Sequence, residues 1–373
     1  MPFFESLAIA GAERIHTQMI FWILSDCSAY SQEAKSRLVC ELFKIPAKHF
    51  EKIECHTEFK NIDLLICTDE FIGILENKLK ASQRQDQLKD YWERIGEHRK
   101  EYFPKATSMR AALLTLVDEA PEHPNWCSTS YGDFLSALQS LPMRSVRSVD
   151  ALIMKEYMAT LQRLTRAVAD FHKDHRSFPN VFTDGWKTKF AKSASAPQLN
   201  AGRAYIASTH LETVLQKSFL RLILADMKLE SSSVLLAETR GTAYFEIPLR
   251  TIHYRGHAFS LGFQLQGRTM KFNIGGRDYA TSTPDWIDES LRESFRSLVR
   301  EAGYSARFNT GPKHAYLSGS RYLPGELHEM ERSALVELLS AAYQQARQAA
   351  EQWVPPGAPR SRRGSAAIRA GRV

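Results

Sequence analysis

Two short apolar runs, residues 62–67 and 71–75, set the pattern of this chain. Each is too short for a helix and rich in isoleucine and leucine. Asp69 and Glu70 separate them, so the pair reads as a β-hairpin. Ile62, Leu64 and Ile66 alternate with Asp63, Leu65 and Cys67, yet both sets are mostly apolar. A strand buried on both faces needs a helix layer on each side. Helical spacing precedes the hairpin: Ile15, Met19, Ile20, Trp22, Ile23 and Leu24 form a broad apolar face, followed by a polar break at 25–31 and a second helix to Phe43. Residues 49–59 read as the first strand. After the hairpin, Leu88, Tyr91, Trp92 and Ile95 stripe a charged helix over 83–101, and 109–117 is the next core strand. Residues 119–126 read as a loop, with a helix capped by Ser128 or Ser130 after it. A long helix covers 148–172. The expectation is an α/β domain with a central mixed sheet flanked by helices.

Residues 193–202, small and polar with one proline, mark a domain boundary. Beyond it a helix at 211–227, strand-like runs at 234–237, 243–249, 258–266 and 269–274, and helices at 286–302 and 329–353 form a C-terminal α+β module with a small antiparallel meander. The expected division is 1–192, 203–353 as a module for substrate positioning or partner binding, and a basic disordered tail over 354–373. Arg250, His253, Tyr254, Arg255 and His257 cluster in the module. A solvated strand and turn is the favoured reading of that cluster, a nucleic-acid surface the other.

Composition changes little. The 373 residues carry a net charge of +7, but five arginines and no acid lie beyond residue 356, so most of the excess sits in the tail. No run approaches the ~18 apolar residues of a membrane span, and the start lacks the basic segment of a signal peptide. Five scattered cysteines without a Cys-x-x-Cys pair point to a reducing cytoplasm and away from structural zinc. His172 and His175, beside Lys173 and Arg176, read as surface residues.

The chemistry gathers at the hairpin. A register aligning 68 with 71 sets Asp63 opposite Glu76, with Cβ atoms about 5 Å apart. Lys78 falls on the same face, roughly 7 Å further along. Two carboxylates this close repel unless a cation or a proton lies between them. Hard oxygen donors suit Mg²⁺ or Mn²⁺. Ordinary solvated charges at a hairpin end are the competing reading. Gln87 and Tyr91, four apart on the following helix, face the same way.

Asp-x12-Glu-Asn-Lys followed by Gln-Leu-x-x-Tyr resembles the PD-(D/E)XK nuclease superfamily, particularly its RecB-like branch; the motifs span Glu13 to Tyr91. The resemblance implies a restriction-endonuclease-like fold and a Mg²⁺- or Mn²⁺-dependent deoxyribonuclease, with RNA left open as substrate. It implies metal ligation by Asp63, Glu76, Glu13 and the main-chain carbonyl of Asn77. Lys78 would orient the attacking water or stabilise developing charge, and Gln87 and Tyr91 would support it. His16 stands at the histidine position of RecB-like members; a packing role is preferred for it. Glu58 is a rim carboxylate or a solvated strand end. Ile62 replaces the proline before the aspartate, as is common in that branch. Phage defence, restriction or repair are the implied settings, with no membrane partner and with a protein partner or homo-oligomer left open. The alternative is a non-catalytic nucleic-acid-binding relative; retention of Asp63, Glu76 and Lys78 together argues against it.

Overall fold

The computed structural model describes residues 2–84, 86–103, 106–144, 148–182, 201–229, 234–239, 241–275, 288–305 and 316–356. Its contacts divide the chain into two units: Met1–Phe219 with Arg240–Thr242, and Leu220–Thr239 with Ala243–Val373.

The first unit begins with helices α1 (Phe3–Ser6), α2 (Glu13–Ser25) and α3 (Gln32–Leu42). Strands β1 (Ile53–Phe59), β2 (Ile62–Thr68) and β3 (Phe71–Lys78) follow as an antiparallel meander. Leu64 pairs with Leu75 and Cys67 with Ile72, which is the predicted register. Helix α4 (Gln87–Tyr102) then carries the chain over to β4 (Ser108–Thr115), parallel to β3, the crossover that a parallel pair requires. Strand β5 (Trp126–Ser130) pairs parallel to β4 and closes a mixed sheet in the order β1-β2-β3-β4-β5.

Both sheet faces are covered, as the doubly apolar hairpin demands. On one, Ile62, Leu65, Ile72, Ile74 and Leu113 pack with Leu88 and Ile95 of α4. Each such side chain contributes about 1.5–3 kcal/mol on burial. The Trp126 indole N–H donates to the Leu88 carbonyl at 3.0 Å, tying α4 to β5. On the other face α2 lies across the meander. There the Phe43 ring occupies the space where a Cβ on Gly73 would sit, so β3 needs glycine at that point.

Strand β5 takes up the last residue of the expected loop and runs to Ser130, one of the two expected helix caps. Its sequence, WCSTS, is too short and polar to show strand character, and the ladder to β4 imposes it. Helix α5 (Tyr131–Ser140) follows directly. Ser130 Oγ accepts from Asp133 N at 2.9 Å and the Asp133 carboxylate accepts from Ser130 N, a capping box. Helices α6 (Val149–Lys173), α7 (Pro179–Phe182), α8 (Ala201–Thr209) and α9 (Glu212–Asp226) follow, and the continuous run of the first unit ends within α9, at Phe219. The expected boundary at 193–202 falls mostly in 183–200, outside the described residues. Residues 203–219, expected in the C-terminal module, group with the first unit. Burial explains it: Ile206, Leu211 and Leu215 are fully enclosed, and Phe219 packs on Phe171 and Phe182. His175, expected at the surface, is buried there with its ring centroid 4.5 Å from that of Phe219.

The second unit holds the expected antiparallel meander, β6 (Leu235–Thr239), β7 (Thr242–Tyr254), β8 (His257–Gln266) and β9 (Thr269–Gly275), plus an unpredicted fifth strand, β10 (Tyr316–Tyr322), beside β9. Helices α10 (Glu289–Glu301) and α11 (Arg332–Gln352) accompany it. Three members of the basic-aromatic cluster, Arg250, Tyr254 and Arg255, serve these helix ends. Arg250 donates to the carbonyls of Ala350, Glu351 and Trp353, each at 3.0 Å, and so caps the C-terminus of α11. Arg255 pairs at 2.7 Å with Asp288, the N-cap of α10, and the Tyr254 hydroxyl donates to the same carboxylate. Residues 357–373 of the basic tail lie outside the described residues. No described helix is long and apolar enough to cross a membrane.

Candidate active site

The site forms where β2 begins, beside the end of β3. Glu76, on β3, is 1 % exposed. Its Oε1 accepts from Lys78 Nζ at 2.6 Å and from Gln87 Nε2 at 2.8 Å. Its Oε2 is equally buried and has no hydrogen-bond partner. An oxygen taken out of water without a donor is costly, and it marks a position shaped for something electropositive. Burial first, and then the Asp63 charge, push the Glu76 carboxyl up to about 7. Asp63, half-buried on β2, accepts from the Asn77 main-chain N–H at 2.8 Å. Burial raises its pKa as well, and it stands within hydrogen-bond reach of Glu76 when one of the two is protonated. The pair therefore holds one proton readily and two negative charges reluctantly.

Lys78 balances this. Its side chain is 11 % exposed. Burial works to lower its pKa, but Glu76, Glu13 and Asp63 outweigh that and raise it. Lys78 thus stays charged at neutral pH, and Glu76 is the group that titrates. Gln87 and Tyr91 act as one bracket from the start of α4: Gln87 Nε2 donates to both Glu76 Oε1 and the Tyr91 hydroxyl, the latter at 3.0 Å. Gln87 Oε1 in turn accepts from Arg84 N at 3.2 Å.

Asn77, between the two catalytic candidates, points to the opposite face and is fully buried. Its Nδ2 donates to the Glu13 carbonyl and to Thr17 Oγ1, both at 3.0 Å, and its Oδ1 accepts from the Tyr131 hydroxyl at 2.7 Å. All its amide groups are therefore engaged with α2 and α5. This clamp fixes the peptide whose N–H holds Asp63. Sequence reasoning found Asn77 but missed Thr17 and Tyr131. The Ser130–Asp133 capping signature places Tyr131 at a helix start, but nothing local pairs it with a strand more than fifty residues earlier.

The remaining candidates divide. Glu13 Oε2 accepts from the main-chain N–H groups of Leu79 at 2.9 Å and Lys80 at 3.0 Å, so it anchors the turn that leaves β3. It is near enough to act electrostatically on Asp63, Glu76 and Lys78. No three His, Cys, Asp or Glu side chains converge in metal-ligating geometry among the described residues. The donor set fits a divalent ion through two carboxylates, as Mg²⁺ sites commonly use. His16 is 1 % exposed, with Nε2 2.9 Å from the Ala10 carbonyl and Nδ1 3.2 Å from the Tyr157 hydroxyl. Burial brings its pKa down to about 4. Both ring nitrogens are engaged in packing, the preferred reading. Glu58 is exposed and pairs with Arg14 at 3.2 Å, away from the carboxylate pair's bonds.

A five-stranded mixed sheet flanked by helices, with the buried Glu76, the half-buried Asp63 and Lys78 at one end of its hairpin, is a restriction-endonuclease-like fold. The family model described as the PD-(D/E)XK nuclease superfamily matches residues 2–172 and supports membership of this region in that superfamily. The match runs well beyond the motifs, to the end of α6, and supports a nuclease-type function. Comparison with curated proteins finds no match, and comparison with solved structures finds none either.

Proposed function

We propose that the chain is a Mg²⁺- or Mn²⁺-dependent nuclease that hydrolyses phosphodiester bonds of DNA. The observation that carries this is the buried, partnerless Glu76 Oε2 beside Asp63, with Lys78 bonded to the same carboxylate. Asp63 and Glu76 would hold the ion, with the Asn77 carbonyl as a further ligand and Glu13 behind them. A bound divalent ion supplies charge neutralisation on the phosphate and acidifies water. The chain's own groups do the rest. Lys78 keeps its proton and presents a fixed ammonium to the charge that develops on the phosphate, or to the attacking water. Gln87, braced by Tyr91, holds Glu76 Oε1 so that Oε2 keeps its direction. The Asn77 N–H holds Asp63, and the clamp behind Asn77 holds that N–H. The apolar hairpin and α4 exclude water and strengthen each of these interactions.

DNA as substrate, and phage defence, restriction or repair as setting, rest on the family resemblance. The unpaired state of all five cysteines supports a reducing compartment. The test is incubation of the purified protein with linear, circular and single-stranded DNA and with RNA, with Mg²⁺, Mn²⁺ or EDTA. Cleavage only with metal is the expected result. Cleavage in EDTA would overturn the mechanism, and no cleavage of any substrate would favour a binding protein.

A further inference from the structure

Lys80, two residues past Lys78, is half-buried. Two other lysines of this unit that are withdrawn from water have an acceptor: Lys35 Nζ donates to the Ser25 carbonyl at 2.9 Å, and Lys78 Nζ to Glu76. The Lys80 ammonium makes no hydrogen bond and no ion pair among the described residues. Burial lowers its pKa, and the carboxylates of Glu212 and then Glu13, acting from a distance, offset part of that. A partly desolvated ammonium without an acceptor is unfavourable unless an anion completes it.

Gly11 lies beside this ammonium: a Cβ there would run into the Thr209 carbonyl oxygen and stand 2.8 Å from Lys80 Nζ, so the close approach of these segments needs glycine. Thr209 ends α8, and His210 turns the chain into α9 in the left-handed conformation, φ 55°. Residues 209–212 lie outside the family match, yet they belong to the first unit and face this lysine. Glu13 links Lys80 to the site, because it accepts the Lys80 main-chain N–H and its charge acts on Asp63, Glu76 and Lys78.

We infer that Lys80 is a substrate-binding residue whose ammonium takes a backbone phosphate of the nucleic acid adjoining the one that is cut. The inference rests on the nuclease reading of the site and assigns a contact beyond the acid-acid-lysine set. The vacant acceptor position of a charged group identifies the ligand as an anion. The neighbouring carboxylate pair and Lys78 identify that anion as part of a phosphodiester chain.

The experiment measures binding of labelled single-stranded DNA, duplex DNA and RNA by fluorescence anisotropy across a salt series. It uses the full chain carrying Glu76→Gln, so that nothing is cut. Adding Lys80→Met should raise Kd roughly tenfold at low salt, the scale of one charge-assisted hydrogen bond. It should also reduce the slope of log K against log salt by about 0.7 on single strands and about 0.9 on duplex, one released counterion. Lys80→Arg should restore the slope, and Lys80→Met should melt no lower than its parent, since no bond within the protein is lost. Lys80→Gln repeats the test if the methionine variant folds poorly. An unchanged slope with a lowered melting temperature would make Lys80 structural and overturn the inference alone. If the Glu76→Gln parent binds neither DNA nor RNA, the nuclease reading falls with it.

Discussion

Glu76→Gln should stabilise the metal-free protein at pH 8 while abolishing its metal binding. In the unfolded chain a glutamate titrates near 4.5; in the fold Glu76 is pushed up to about 7 by burial and by Asp63. A carboxyl whose pKa is raised on folding adds stability that is complete below about 4.5. That stability is lost progressively as pH climbs through about 7. At 1.36 kcal/mol for each pH unit, the interval corresponds to about 3 kcal/mol. The amide removes the titration but leaves Lys78 a neutral acceptor in place of its charged 2.6 Å partner, which offsets part of the gain. A net increase of about 1–2 kcal/mol is expected at pH 8. For a unit of this size that is roughly 3–6 °C in Tm. The assay is thermal unfolding of wild type and variant in EDTA from pH 5 to pH 9, repeated with Mg²⁺. Wild type should lose stability between pH 5 and 8 and regain it when Mg²⁺ is added; the variant should be flatter with pH and indifferent to Mg²⁺. A variant that melts below wild type at pH 8, or that keeps the full pH dependence, would refute the assignment of Glu76 as the titrating, metal-seeking group.

Lys78→Met should lose about 10²–10³-fold in turnover while Mg²⁺ affinity by calorimetry at pH 9, where Glu76 is ionised, stays the same or tightens; near wild-type turnover would remove Lys78 from the chemistry. Tyr131→Phe leaves Asn77 Oδ1 buried without its 2.7 Å donor, so stability should fall by about 1–3 kcal/mol, with turnover reduced and recovered in part at saturating metal. His16→Ala should lower Tm through the lost packing and the unpaired Ala10 carbonyl and Tyr157 hydroxyl, yet leave Mg²⁺ affinity unchanged, as expected of a packing residue. Arg250→Ala removes three hydrogen bonds to the end of α11; a melting-temperature drop without loss of DNA affinity would separate helix capping from nucleic-acid contact.

The hairpin, its register and the acid-acid-lysine set were legible because each is local. Alternation and a two-residue turn decide which side chains share a face, and residues 62 to 78 contain all that is needed. Gln87 and Tyr91 were legible for the same reason, four apart on one helix. What stayed hidden depends on distant pieces meeting. The clamp on Asn77 joins α2, β3 and α5, and the setting of Lys80 joins α2, the end of β3 and the α8–α9 turn. Strand β5 was hidden because its strand character comes from the ladder to β4 and not from its five residues. Residues 203–219 group with the first unit and not, as expected, with the C-terminal module: small polar residues at 193–202 look like a linker, whereas burial of Ile206, Leu211 and Leu215 is decided by what they pack on.

Glu13 shows why a motif position and its physical role need separate arguments. The resemblance makes it a metal-site acid, and its charge does bear on Asp63 and Glu76. Its bonds, however, go to the main-chain N–H groups of Leu79 and Lys80. Those bonds turn the chain as it leaves β3, so that Lys78 ends the strand against Glu76 and Lys80 is carried toward the α8–α9 turn. The Glu13 carbonyl meanwhile accepts from Asn77, behind the same strand. One residue of α2 thus grips β3 by its main chain at Asn77 and the turn after β3 by its side chain at Leu79 and Lys80. The geometry of two lysines and two carboxylates depends on that grip. A glutamine at this position would keep an acceptor for the turn while removing a negative charge, and so would separate the two roles. If anchoring is its function, Glu13→Gln retains substrate binding and most turnover; if ligation is, metal affinity falls with the charge.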